Sequence, residues 1–291
     1  MQLFKPREDS PFSQRDNACW VATFGTAWYA LEQANLTSPS SILVHSASGG
    51  VGSMLVQIAK ARGHTVVGVV GRSEKVDYCR SIGADAVIDK STMPLWETAI
   101  KHAASYREFR GFHAVFDANG VATLKDSYRN TLPGGRLVVY GFHSMLPKKG
   151  GFLGFFQWVS LRQRWHVSAG IAPFTDHYSC VVASCSKIKL AWLWLRSPTF
   201  DPMELVPANK TIVGFNLSYL FDSVELLQRC VAEGQQLAAS GAVQPPYVTE
   251  FPLHSCRTFP HERRRFVSRL RSERLSFMLI DVPLQDQPTR R

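Results

Sequence analysis

Eight residues, Ser46-Ala47-Ser48-Gly49-Gly50-Val51-Gly52-Ser53, carry three glycines among small side chains, directly after the apolar run Ser41-Ile42-Leu43-Val44-His45. Val51, Leu55, Ile58 and Ala59 then fall at helical spacing, so the stretch reads as strand, turn and helix. A helix that opens behind a glycine turn offers unpaired N–H groups and the positive end of its dipole, a chemistry suited to phosphate. The missing β-carbons let a pyrophosphate come close, as in dinucleotide-binding turns. The strict fingerprint asks for glycine at position 55, where this chain has Leu55, so an ordinary tight strand-to-helix turn is the competing reading.

The choice of dinucleotide falls to the end of the second strand, Val69-Val70-Gly71-Arg72-Ser73-Glu74-Lys75. An acid at 70 or 71 would take the ribose hydroxyls of NAD, and none is there. Gly71 leaves room, while Arg72, Ser73 and Lys75 offer the cations and hydroxyl that a 2′-phosphate requires, which favours NADPH. The alternative is a solvated helix start with Glu74 in its first turn.

The elements that must hold these residues follow from hydrophobic rhythm. An apolar stretch from Ala18 to Ala34 predicts a buried helix ended by the Ser38-Pro39-Ser40 turn. Strands are expected at Ile42–His45, Thr65–Val70, Ala86–Asp89, Ala114–Asp117 and Arg136–Tyr140, with a sixth at Thr211–Leu217. Helices are expected at Ser73–Ile82, Leu95–Ser105, Ala122–Asn130 and Asp222–Ala239. Such alternation implies an α/β fold, a doubly wound, Rossmann-type parallel sheet with helices on both faces. Between the fifth and sixth strands lies a long insertion, about 150–200, far beyond an ordinary connection.

At 291 residues and 45% hydrophobic, the chain can bury a substantial core. Charge and proline come before any apolar stretch at Met1 to Asp9, so no secretory signal is expected and a cytosolic start is the default. Six scattered cysteines fit neither a zinc ribbon nor a dithiol motif and read as reduced thiols. Of the formal charge of +10, half sits in residues 254–291, where nine arginines face four acids. No nucleic-acid fold accompanies that basic tail, so no nucleic-acid partner is expected.

Thr26-Ala27-Trp28-Tyr29-Ala30-Leu31, the glycine turn with Val56-Gln57-Ile58-Ala59-Lys60, and Ser81-Ile82-Gly83-Ala84-Asp85-Ala86-Val87-Ile88-Asp89 resemble the medium-chain dehydrogenase/reductase superfamily. Within it they look most like the zinc-free quinone oxidoreductases of the zeta-crystallin type. Residues 197–205 and 209–221 are similar to the vesicle amine transport protein branch. The resemblance runs from about Asn17 to Leu253 and implies Thr26 by the nicotinamide, Ser48, Gly49, Gly50 and Val51 at the pyrophosphate, and Gly71, Ser73 and Lys75 at the 2′-phosphate. Asn119, Gly120, Gly141 and Phe142 would flank the nicotinamide ribose. Where many relatives have a tyrosine near the adenosine, this chain has Lys90. The family's zinc-ligating cysteine corresponds to Ala22, and Cys19 is out of register, so no metal is expected. His143 could polarise a carbonyl or simply cap a strand exit; His45 reads as structural.

Relatives carry a β-rich domain before the first helix, and residues 1–16 are expected to be a disordered stub in its place. Residues 17–253 form the expected NADPH-binding domain, with Val243 to Leu253 as the remnant strand returning to the missing domain. Residues 254–291 are expected to be a divergent, disordered tail. Aromatic runs at 151–158 and 190–195 beside Lys148, Lys149, Lys189 and Arg196 suit peripheral membrane contact, a lid or a subunit interface. The resemblance also suggests a homodimer through the sixth strand. Two functions stay open: an NADPH-dependent reductase of quinones or α,β-unsaturated carbonyls, and a non-catalytic NADPH-binding protein that associates with membranes or partners.

Overall fold

The computed structural model describes residues 14–141, 197–220 and 223–246. The expected membrane, lid or interface segments at 151–158 and 190–195, His143, Phe142 and the arginine-rich tail lie outside them. Helix α1 (Gln14–Ala34) opens the described chain and starts inside the expected stub. There follow β1 (Ser41–His45), α2 (Gly50–Ala61), β2 (Thr65–Val70), α3 (Val76–Ser81) and β3 (Ala86–Asp89). After α4 (Leu95–Ala99), β4 (Ala104–Tyr106) and β5 (Phe109–Asp117) form a hairpin, and α5 (Leu124–Arg129) leads to β6 (Thr131–Val139). Last come α6 (Pro202–Ala208), β7 (Thr211–Gly214) and α7 (Val224–Ala239).

The strand order is β3-β2-β1-β5-β6-β7, all parallel, with β4 antiparallel to β5. Consecutive side chains on a strand point to opposite faces, and both faces are covered here. Ile42, Val44, Val66, Val70, Ala114 and Phe116 pack under α1 and α2 with Phe24, Trp28 and Leu31. Leu43, Val67, Val69, Val115 and Leu137 pack on the other face with Ile88, Ala99 and Leu124. Burial on both sides is why the strands read as continuous apolar runs. This is the doubly wound fold that the alternation predicts.

Glu233 of α7 clamps three helices over one face. Its carboxylate accepts from Trp28 Nε1 of α1 at 2.7 Å and from Arg62 Nη2, at the end of α2, at 2.8 Å.

Several sequence expectations need correction. The helix expected over Leu95–Ser105 stops at Ala99, passes through one 3-10 turn at Ile100–His102, and gives way to β4. The polar run Ser105 to Glu108 is a hairpin edge whose alternation is too short to register as a strand. The sixth strand ends at Gly214 rather than Leu217, because residues 217–220 curl into a 3-10 turn. Helix α6 went unforeseen, although Asp201 caps it by accepting from Met203 N at 2.8 Å and Pro202 sits in its first turn. At the start of the expected remnant strand, Val243 is buried, and the Gln57 side-chain amide bonds both the N–H and the carbonyl of Gln244.

Gly52 answers part of the question raised by the glycine turn. A β-carbon there would lie 2.2 Å from the Ser46 carbonyl oxygen, so its smallness serves the packing of α2 onto its own strand. Glycine to alanine inside a helix normally gains about 1 kcal/mol. Forcing atoms into a filled space costs about 1–3 kcal/mol, and here the obstacle is backbone that cannot rotate away. Gly52→Ala should therefore lower the urea midpoint of unfolding; an unchanged or raised midpoint would show that the turn is not closed in this way.

Candidate functional site

The chain runs outward from β1 to β2 and β3, then returns to the other side of β1 as β5. At that reversal the carboxyl ends of β1 and β5 open a crevice, the usual ligand position in an open α/β sheet. Ser46 leaves β1 with φ of 55° and its hydroxyl donates to Asn119 Oδ1 at 3.1 Å, which bridges the two strand ends. Gly49 N–H donates to the Ser46 carbonyl at 2.9 Å and closes the turn. Gly49 is the N-cap of α2 and has no side chain to satisfy the first-turn N–H groups. Ser48, Gly49, Gly50 and Val51 are half-buried along the lip, so four of the expected pyrophosphate residues come together there.

Across the crevice, the fully buried Asp117 orders the loop that follows β5. Its carboxylate accepts from Asn119 N at 2.7 Å, Gly120 N at 3.1 Å, Thr123 Oγ1 at 2.7 Å and Ser127 Oγ at 2.8 Å. Gly120 takes φ of 82°, a left-handed value that suits glycine. A β-carbon on Gly141 would lie 2.9 Å from the Ala118 carbonyl, so the ends of β5 and β6 approach closely. His45 Nε2 lies 3.0 Å from Ser127 Oγ. That hydroxyl gives its proton to Asp117, so it accepts from Nε2 of the ring. Burial lowers the His45 pKa, against the pull of Asp117. A Ser, His and Asp in this order do not make a nucleophile, because the serine proton points at the carboxylate. The structural reading of His45 holds.

Buried polar atoms normally find partners, so exceptions point to something. Among the described residues, the buried side-chain atoms without one are His45 Nδ1, His64 Nδ1, Asn119 Nδ2 and Tyr140 Oη. Three of these four belong to residues at the carboxyl ends of β1, β5 and β6. Tyr140 stacks on Phe215 at 6.5 Å, and Phe215 meets Tyr29 of α1 edge-on at 4.9 Å. Thr26, one turn before Tyr29, is half-buried and donates its hydroxyl to Ala22 O at 2.7 Å.

At the outer end of the crevice, Gly71 and Lys75 are half-buried after β2. Ser73 donates its hydroxyl to Asp89 Oδ2 at 2.5 Å, and Arg72 pairs with Glu74 at 3.2 Å. Lys90, on the next residue, is exposed. The uncapped helix, the tight turn and the unpaired Asn119 amide fit a dinucleotide; at the outer end, Ser73, expected at the 2′-phosphate, is already engaged by Asp89. Ser46, Asp89, Asp117, Ser127 and Tyr140 were not singled out from the sequence. Asp89 and Asp117 each end a strand, the one local signal that could have drawn attention to them.

A family model described as zinc-binding dehydrogenase matches residues 50–176. Prostaglandin reductase 1 of Oryctolagus cuniculus is 35% identical over 126 residues, covering 43% of this chain and 35% of that protein. The human synaptic vesicle membrane protein VAT-1 homolog is 24% identical over 239 residues, covering 81% of this chain and 50% of that protein. These matches make the chain similar to proteins of the medium-chain dehydrogenase/reductase superfamily. It spans half or less of the length of these relatives. A mycobacterial protein solved with NADPH shares the fold at a TM-score of 0.55 and 21% identity, covering 82% of this chain and 58% of that one. A Pseudomonas syringae quinone oxidoreductase does so at 0.54 and 20%, covering 83% and 57%. Although the family description mentions zinc, the described residues hold no group of three His, Cys, Asp or Glu that could bind a metal. Cys79 and Cys230 are free and buried, and burial pushes both thiols up to about 12, so they stay protonated. Among the described residues no helix is long and apolar enough to cross a membrane.

Burial of His45 gives the crevice a pH signature. An unfolded histidine titrates near 6.5, and folded His45 resists protonation, so the unfolded chain binds more protons below that value. Stability should be full above about pH 6.5 and decline as the pH falls towards 5, before the carboxylates titrate. Burial lowers the His64 pKa too, so it contributes with the same sign. In His45→Gln the decline should shrink without vanishing. Equal acid slopes for the two proteins in urea titrations would exclude a neutral, buried His45.

Proposed function

We propose that the chain binds NADPH across the carboxyl ends of β1 and β5 and serves an oxidoreductase that acts on a small carbonyl compound, a quinone or an α,β-unsaturated carbonyl. One observation carries this reading: an uncapped helix of twelve residues opens on the crevice beside a buried amide donor with no partner. First-turn N–H groups from Gly50 onward would bind the pyrophosphate, with Ser48, Gly49 and Val51 shaping the lip. Asn119, Gly120, Gly141 and Phe142 would hold the nicotinamide ribose, and Thr26 would border the nicotinamide. Gly71 and Lys75 would receive the 2′-phosphate, and Ser73 would join them only where its proton is released from Asp89. When bound, the reduced cofactor supplies the hydride, and this chain supplies orientation and the hydrogen-bonding frame.

The substrate class is supported by the relatives named as prostaglandin, 2-haloacrylate and quinone reductases. A homodimer and peripheral membrane contact remain part of the proposal, the latter supported by the name of the VAT-1 homologs.

The test is a fluorescence titration of the purified chain with NADPH and NADH, with circular dichroism to establish folding. Saturable NADPH binding is expected, and Lys75→Ala should weaken NADPH far more than NADH. No saturable signal from folded protein would overturn the reading, and equal losses would remove Lys75 from the 2′-phosphate. Oxidation of NADPH in the presence of a simple quinone separates a reductase from a cofactor-binding protein without turnover.

A further inference from the structure

Asp89 ends β3 directly opposite Val70, the last residue of β2, so its side chain stands at the same strand edge as Gly71 to Lys75. It is only 2% exposed and accepts from several donors. Ser73 Oγ reaches Oδ2 at 2.5 Å, while Ser91 N and Ser91 Oγ reach Oδ1 at 2.9 and 2.6 Å. The hydrogen bond from Ser73, then those from Ser91, hold the carboxyl below the ordinary carboxylate range. A fixed anion thus lies one hydrogen bond from a residue assigned to a dianionic phosphate.

A serine hydroxyl has one proton to give. While Ser73 donates to Asp89, it presents only lone pairs to a phosphate, and those repel. Of the nearby cations, Arg72 is offset by its pairing with Glu74. The end of β2 lacks the acid that takes ribose hydroxyls in NAD-binding sites, yet the neighbouring strand brings a carboxylate to the same edge.

We propose that Asp89 sets the discrimination between phosphorylated and unphosphorylated adenosine ribose, and that by holding the Ser73 proton it weakens the preference for NADPH. This rests on the dinucleotide reading above. Asp89→Asn keeps the shape, removes the charge and can release the serine proton. It should move the ratio of NADH to NADPH dissociation constants towards NADPH by about tenfold, the size of one charge-assisted hydrogen bond.

Ser73→Ala in the unaltered background should change that ratio by less than about twofold, because the lost proton was already committed. In the Asp89→Asn background the same change should erase the gain, a coupling that a double-mutant cycle isolates. An unchanged ratio in folded Asp89→Asn, with both nucleotides still bound, overturns the inference and leaves the dinucleotide reading intact. A tenfold loss of NADPH preference in Ser73→Ala alone overturns it as well, even if Asp89→Asn fails to fold. If the unaltered chain binds neither nucleotide, the dinucleotide reading fails first and the inference with it.

Discussion

Asp117 is a carboxylate with no exposed surface, hydrogen-bonded at close range by hydroxyls and backbone amides. Burying an ionised carboxylate without hydrogen bonds costs several kcal/mol or more, so the chain must bring donors to it. Those donors come from the loop after β5 and from α5, and the geometry that satisfies the charge also fixes Asn119 and Gly120. Asn119 then reaches Ser46, which ties the crevice to the glycine turn. The two walls of the site are held in register by one buried charge and the groups it compels to approach.

The glycines around the turn divide into two kinds. Gly52 is forced by the Ser46 carbonyl, a contact internal to the fold. Gly49 matters differently: it leaves the helix without a side-chain cap, and only something from outside the turn can use those N–H groups. The sequence pattern cannot separate these roles, because a close approach of main chain to main chain and of main chain to ligand both exclude a β-carbon.

Much of the fold was legible because buried parallel strands are written as short β-branched runs between glycines, as in Thr65–Val70. The glycine turn was legible for a similar reason, since its parts are adjacent in sequence. The hairpin was not: β4 has three residues at a sheet margin, two of them exposed, and Arg107 turns the chain with φ of 52° where no glycine signals it. The partners within the site were also hidden. Ser46 and Asn119 lie 73 residues apart, and His45 and Ser127 lie 82 apart, so only the folded sheet joins them. Lys75 and Ser73 could be read as phosphate ligands from their types, but nothing local announced that Asp89 would claim the serine proton.

The two strand-end carboxylates are both saturated, yet saturation has different consequences in each. Asp117 draws on backbone N–H groups and buried hydroxyls that no ligand can take away without dismantling the loop, so its charge is part of the frame. Asp89 shares Ser73, an exposed residue that a phosphate could also approach. A donor that a fixed anion and an incoming anion both need makes their interactions mutually exclusive, and the balance between them is set by one proton. The crevice thus joins a rigid centre, where α2 and the loop after β5 converge, to an outer end where one serine proton is held by a strand-end carboxylate.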